Sequence, residues 1–154
     1  MHHITIYTIG TPKEQAVDKL LEKYVHYLKS FAKIHFIALK GSNSTDLKKV
    51  IKEESEHLAE KRTPGTISIL LTEHGKAFSS LAFAEQIEKW SQHGSLHLAF
   101  YIAGPFGVTK DLANAFDATL SLSQMTFPHE ISLILLLEQI YRAETILHGK
   151  TYHY

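Results

Sequence analysis

The chain has 154 residues, no cysteine, and 16 basic against 16 acidic residues, which suits one domain with a full hydrophobic core. The composition excludes disulfides, thiolate metal sites and a cysteine nucleophile. Net neutrality also argues against a non-specific polyanion binder, whose affinity comes from neutralising phosphates.

Through Arg62 there are 11 Lys/Arg against 8 Asp/Glu, and from Thr63 onward 5 against 8, so any basic surface would be local to the first half. The start, MHHITIYTIG, lacks the basic region and long apolar stretch of a secretory signal. The most apolar run, ISLILLL, is too short to span a bilayer. The expectation is a soluble, cytoplasmic protein.

HITIYTIG reads as a first strand, rich in Ile, Thr and Tyr. TPKE then predicts a helix start, with Thr11 as N-cap, Pro12 in the first helical position and Glu14 completing a capping box. Val17, Leu20, Leu21, Tyr24, Val25 and Leu28 follow as an apolar stripe at helical spacing. KIHFIAL is a second strand. GSNSTD turns into a charged helix through about Lys61, with Leu47, Val50, Ile51 and Leu58 facing inward. Its lysines 48, 49 and 52 read as a solvated face or an RNA-facing patch.

TPG at Thr63–Gly65 breaks the chain, and TISILL is a third, fully apolar strand followed by the loop TEHGKAFSS. A helix from Leu81 to about His93 carries Ile87 and Trp90 as core, with Gly94 as its stop. LHLAFYIA is a fourth strand. It leads into GPFG and a short helix near Lys110–Phe116, and ATLSLS is a fifth strand. A last helix runs from about His129 to Leu147, closed by Gly149, with the tail KTYHY. ISLILLL within it is apolar all round, which places that helix centrally in the core or in an oligomer interface.

Strands alternating with helices imply an α/β fold with a parallel-rich sheet flanked by helices, as a single domain over residues 1–154. In such sheets ligands bind beyond the carboxyl ends of the strands. Three loops stand there: TEHGKAFSS, GPFGVTK and SQMTFPHE. GPFG is neither of the two common glycine-rich phosphate motifs, so alone it reads equally as a plain tight turn or as a place where a ligand approaches the backbone. The 11 histidines are scattered without ligand spacing, and no metal is expected.

Taken together, GPFG after the fourth strand, LSLSQMTFPH, LLLEQIYRA and the terminal HGKTYHY resemble the small knotted SPOUT methyltransferases from end to end. The branch resembled methylates N3 of a pseudouridine in 23S rRNA. The resemblance implies a C-terminal trefoil knot, a homodimer, S-adenosyl-L-methionine as cofactor and the ribosome as partner. No general topology rule would suggest a knot.

The resemblance places the cofactor at Leu71, Gly104, Gly107, Gln124, Met125, Thr126, Phe127, Pro128 and His129, with Gly75 and Lys76 in a matching GK loop. It implies that Gly104 and Gly107 make room for the adenosyl and methionine portions. Ala103, Leu133 and Thr151 depart from the family's usual glycine, arginine and proline. The missing charge at Leu133 keeps a non-catalytic RNA-binding or assembly module as the alternative.

Methyl transfer from a sulfonium is an in-line displacement, so the protein's task is alignment and exclusion of water. Arg142 is a candidate to stabilise a developing anion on the acceptor or hold a phosphate. It reads equally as the partner of Glu138, four residues earlier on the same helix face. Tyr152 and His153 in the tail are candidates to contact the base or help remove its proton.

Overall fold

The computed structural model describes residues 1–92 and 96–152. Strands and helices alternate as β1 (His2–Ile9), α1 (Gln15–Leu28), β2 (Ala32–Leu39), α2 (Leu47–Glu60), β3 (Ile67–Ala77), α3 (Ser80–Gln92), β4 (His97–Ile102), α4 (Lys110–Ala113), β5 (Ala118–Ser121) and α5 (His129–Leu147). The sheet order is β2-β1-β4-β3-β5, and all four pairings are parallel. All five strands therefore end at one edge, which is what allows their loops to converge.

Helices cover both faces. Alternate residues of the central strand β4 serve opposite layers, as the period-two pleat requires. Leu98 and Phe100 join Ile4, Ile6 and Ile69 beneath α1, α3 and α5, where Leu21, Ile87, Leu136 and Ile140 pack. Ala99 and Tyr101 face the other way, toward Leu58 of α2 and Phe116. Burial on both sides explains why LHLAFYIA reads as an unbroken apolar run. On the first layer α5 packs against both α1 and α3. Its fully buried Glu144 meets His2 Nδ1 at 2.5 Å, and His2 Nε2 lies 2.8 Å from Ser91 Oγ. That chain of polar contacts ties α5 to β1 and α3.

The structure corrects several element boundaries. Helix α1 starts at Gln15, with Glu14 at the N-cap and no side-chain cap, so Thr11 and Pro12 lie in a loop outside it. The Lys13 N–H instead donates to Glu130 Oε1 of α5 at 2.5 Å, so a tertiary bond takes the place of local capping. On α2, Leu47 is exposed and Ile51 only half-buried, while Val50, Glu54, Ser55 and Leu58 are buried. Helix α4 stops at Ala113. Gly94 lies outside the described residues.

The largest departure is β3, which runs on to Ala77 through residues expected to be loop. Leu71 and Lys76 both register with Leu120, so the chain between them bows out and returns to the same point of β5. Leu133, where the expected arginine is missing, is 2% exposed and sits in the core.

Candidate active site

A cavity of about 790 Å³ opens at the carboxyl ends of β4 and β5, beside the bowed middle of β3, and reaches the first turn of α5. Its floor is apolar, with Leu71, Ile102 and Leu120, which are strand residues buried in the sheet, and Leu122 just beyond β5. One wall is the loop after β4. There the Gly107 N–H donates to the Gly104 carbonyl at 3.1 Å, closing a turn with Pro105 and Phe106 at its centre. Gly107 has φ +78°, a left-handed conformation that favours glycine. The turn is anchored from below, since the Thr109 N–H donates to Ser55 Oγ of α2 at 3.2 Å.

The opposite wall is the segment after β5. The Ser121 hydroxyl is shared between the carbonyls of Ser123 (2.9 Å) and Glu73 (3.2 Å), and the Met125 N–H donates to Ser123 Oγ at 3.0 Å. Thr126 Oγ1 donates to Glu73 Oε1 at 3.2 Å, linking this wall to the bowed part of β3.

Leu71, Gly104, Gly107, Met125, Thr126, Phe127, Pro128 and His129 all line this cavity. Gln124 does not; it is exposed beside it. Thr72, Glu73, His74, Phe106, Ser123 and Ser132 line it as well; all but Ser132 belong to the loops TEHGKAFSS, GPFGVTK and SQMTFPHE. The close approach expected at Gly104 is present, but not toward the cavity. A Cβ there would lie 2.4 Å from Glu54 Oε2, so the missing side chain makes room for a carboxylate of α2. Gly75 has a packing reason too, since its Cβ would come within 2.8 Å of the Leu120 backbone. Lys76 reaches over the ring of Phe78 at 4.9 Å instead of into the cavity.

Arg142 and Tyr152 stand together elsewhere. Arg142 bonds Glu138 Oε1 through Nε (3.1 Å) and through a terminal nitrogen (2.6 Å), and the Tyr152 hydroxyl donates to the same oxygen at 3.2 Å. The guanidinium also lies 4.8 Å from the Tyr152 ring centroid, a cation–π distance. The pairing with Glu138 is therefore present, and it orients the guanidinium. The hydrogen bond to Glu138 raises the Arg142 pKa further. Burial first, and then the Glu138 charge, push the Tyr152 hydroxyl up to about 12. At neutral pH that phenol is protonated, so it donates a hydrogen bond and is not a base. His153 lies outside the described residues.

Neither Arg142 nor Tyr152 lines the cavity. From His129 to Arg142 the helix rises roughly 20 Å at 1.5 Å per residue. Ile131, Leu135, Glu138 and Arg142 recur every three or four positions, so one stripe of α5 connects the two places. Its apolar members, Ile131 and Leu135, are 42% and 36% exposed.

Fold and site together define an α/β protein with a small-molecule cavity made from three parallel strands, their following loops and the start of the last helix. The family model described as "Predicted SPOUT methyltransferase" matches residues 2–153, and the chain belongs to that family. It is 40% identical over its whole length to the ribosomal RNA large subunit methyltransferase H of Thermodesulfovibrio yellowstonii, all of which is covered. It is 36% identical to the protein of that name from Kosmotoga olearia, with 99% of both chains aligned. It is 33% identical to that from Acetivibrio thermocellus, over 97% of this chain and 98% of the relative.

The chain is accordingly an S-adenosylmethionine-dependent methyltransferase. The cavity fits that cofactor. Its volume falls in the range of small-molecule sites, roughly 300–1,000 Å³, and its apolar floor suits a flat adenine. His129 lines the cavity, and the buried Nε2 of that residue has no hydrogen-bond partner among the described residues. Among the described residues, no three His, Cys, Asp or Glu side chains are grouped to hold a metal, and no helix is long and apolar enough to cross a membrane.

Proposed function

We propose that this enzyme methylates N3 of a pseudouridine in 23S rRNA, as a symmetric homodimer acting on the assembled ribosome in the cytoplasm. The observation that carries the dimeric reading is the separation within one chain of the cavity from the Arg142–Tyr152 cluster, at two ends of one partly exposed stripe of α5. An isologous C2 contact that crosses two α5 helices antiparallel near Leu135 buries Ile131 and Leu135. It also brings the partner subunit's Arg142 to the cavity end of this chain's helix. A site incomplete in one chain is completed twice in the pair. The chain is expected to be threaded as the family's trefoil knot.

The cofactor supplies an electrophilic methyl group when bound; the chain's residues supply the rest. The strand-end apolar residues and both walls hold the donor and keep water out. The acceptor imide must lose a proton. If its pKa lies about two units above neutral, that costs ~2.7 kcal/mol, or roughly a hundredfold. One preorganised charge of the Arg142 kind is enough to offset it. Tyr152, whose one hydroxyl proton goes to Glu138, holds that carboxylate and flanks the Arg142 guanidinium. Nothing here needs a strong base.

The alternative of a module without catalysis gains no support from Leu133. That residue packs in the core away from the cavity, so the departure removes no group from the site.

Recognition of assembled subunits follows from the balanced charge, because a chain with no large basic excess gains little from bare RNA backbone. The test is mass mapping of rRNA after incubating the purified protein and S-adenosylmethionine with unmodified ribosomes or with protein-free 23S rRNA. One methyl on a single pseudouridine, faster on ribosomes, is the expected result. No methylation in either case would overturn the function, and equal rates would overturn the ribosome requirement.

A further inference from the structure

The carboxylate of Glu54 has no part in the scheme above, yet it is built into the wall of the site. It projects from α2 and is 7% exposed. Oε1 accepts a hydrogen bond from the Ser42 N–H at 3.1 Å, whereas Oε2 has no partner among the described residues. Two glycines leave the space it occupies. A Cβ on Gly41 would come 3.0 Å from Oε1, and one on Gly104 would come 2.4 Å from Oε2. Gly104 in turn lines the cofactor cavity, which Glu54 itself does not reach. The Gly104 backbone therefore stands between an unpartnered carboxylate oxygen and the cavity.

No ion pair among the described residues neutralises that carboxylate. A second cleft, of about 300 Å³, borders Glu54 and is lined by Glu53, Glu56, Glu60, His57 and one cation, Lys40. Glu53 and Glu56 pair with Lys49 and Lys52 at 3.7 and 4.0 Å. A buried carboxylate with one oxygen unpartnered is costly unless a positive charge meets it.

The donor carries such a charge on its sulfonium. The product, a thioether, has lost it, because the S–CH₃ electron pair returns to sulfur as the methyl leaves. Adenine, ribose, amino and carboxylate groups are common to both.

We propose that Glu54 is a specificity-determining residue whose charge, acting through the Gly104 wall, makes the cavity prefer the cationic sulfonium donor to the neutral thioether product. The inference rests on the family's cofactor. A field that favours the sulfonium also resists its loss in the transition state, so the role is donor capture and product release and not acceleration of the transfer step.

Calorimetry on the full-length protein tests it with two probes, S-adenosylmethionine and S-adenosylhomocysteine. Glu54→Gln keeps the shape and the acceptor for Ser42 but removes the charge. Donor affinity should fall about tenfold, the scale of one screened charge, while product affinity changes less than twofold. Glu54→Asp, which keeps the charge, should retain most of the preference. Equal losses for both probes would reduce Glu54 to a structural prop and overturn the proposal, and so would an unchanged ratio in the Gln variant. Failure of the unaltered protein to bind either probe would instead overturn the cofactor assignment, and the inference with it.

Discussion

A methyl group placed on Gly104 would lie 2.4 Å from Glu54 Oε2 and 3.4 Å from its Cδ, whereas one on Gly107 would meet nothing within 4 Å. Three residues apart in one turn, the two glycines are needed for different reasons: a close neighbour at Gly104, a left-handed φ of +78° at Gly107. Gly104→Ala must push aside a carboxylate held by Ser42 and should cost about 1–2 kcal/mol. Gly107→Ala should cost about 1 kcal/mol through backbone strain alone. The two are separable by urea unfolding in a Glu54→Ala background. The Gly104 penalty should shrink there by at least ~0.5 kcal/mol, while the Gly107 penalty stays put. Additive behaviour at Gly104 would mean that Glu54 is not what its missing side chain accommodates.

At the scale of elements, β3 is the segment on which the site depends most. Past Leu71 the chain bows out, supplies Thr72, Glu73 and His74 to the cavity, and returns so that Lys76 faces Leu120 again. That return requires Gly75, whose Cβ would meet the Leu120 C and N atoms at 2.8 Å and the Ser121 N at 3.0 Å. Backbone cannot swing away as the end of a glutamate can. Gly75→Ala should therefore cost more than Gly104→Ala, about 3 kcal/mol, and should weaken cofactor binding by misplacing Glu73. Urea unfolding and calorimetry on that variant would show it; a cost below that of Gly104→Ala would contradict the packing argument.

Here sequence reading had its limits. Apolar and β-branched runs placed all five strands, and helical spacing the span of α5. In β4 the run reflects burial on both sheet faces, whereas the edge strand β2 is legible by composition although largely exposed. The overrun of β3 was invisible, because TEHGKA has loop composition and its strand character comes only from pairing with β5. Glu54 was hidden for the same reason. A glutamate among lysines on a helix reads as solvated, and its neighbour Gly104 lies 50 positions away in the chain. The cavity residues were legible through the family's motifs, and Gln124, within one of them, points elsewhere.

At the scale of the whole molecule, the distance between cavity and cluster becomes a prediction about assembly. If each working site joins one chain's cavity to the partner subunit's Arg142–Tyr152 cluster, two defective chains can repair each other. A Gly75→Ala chain has a damaged cavity and an intact cluster; an Arg142→Ala chain has the reverse. Each homodimer should be nearly inactive, the second while still binding cofactor. Mixed by co-expression in equal amounts, half of the dimers are heterodimers. In each of these one site has both defects and the other has none, so about a quarter of the unaltered activity should return. Methylation of ribosomes by the purified mixture, normalised to dimer content from light scattering, measures that fraction. Sites contained within single chains would give no recovery above the sum of the parents, and the stripe along α5 would then be an interface without a catalytic role.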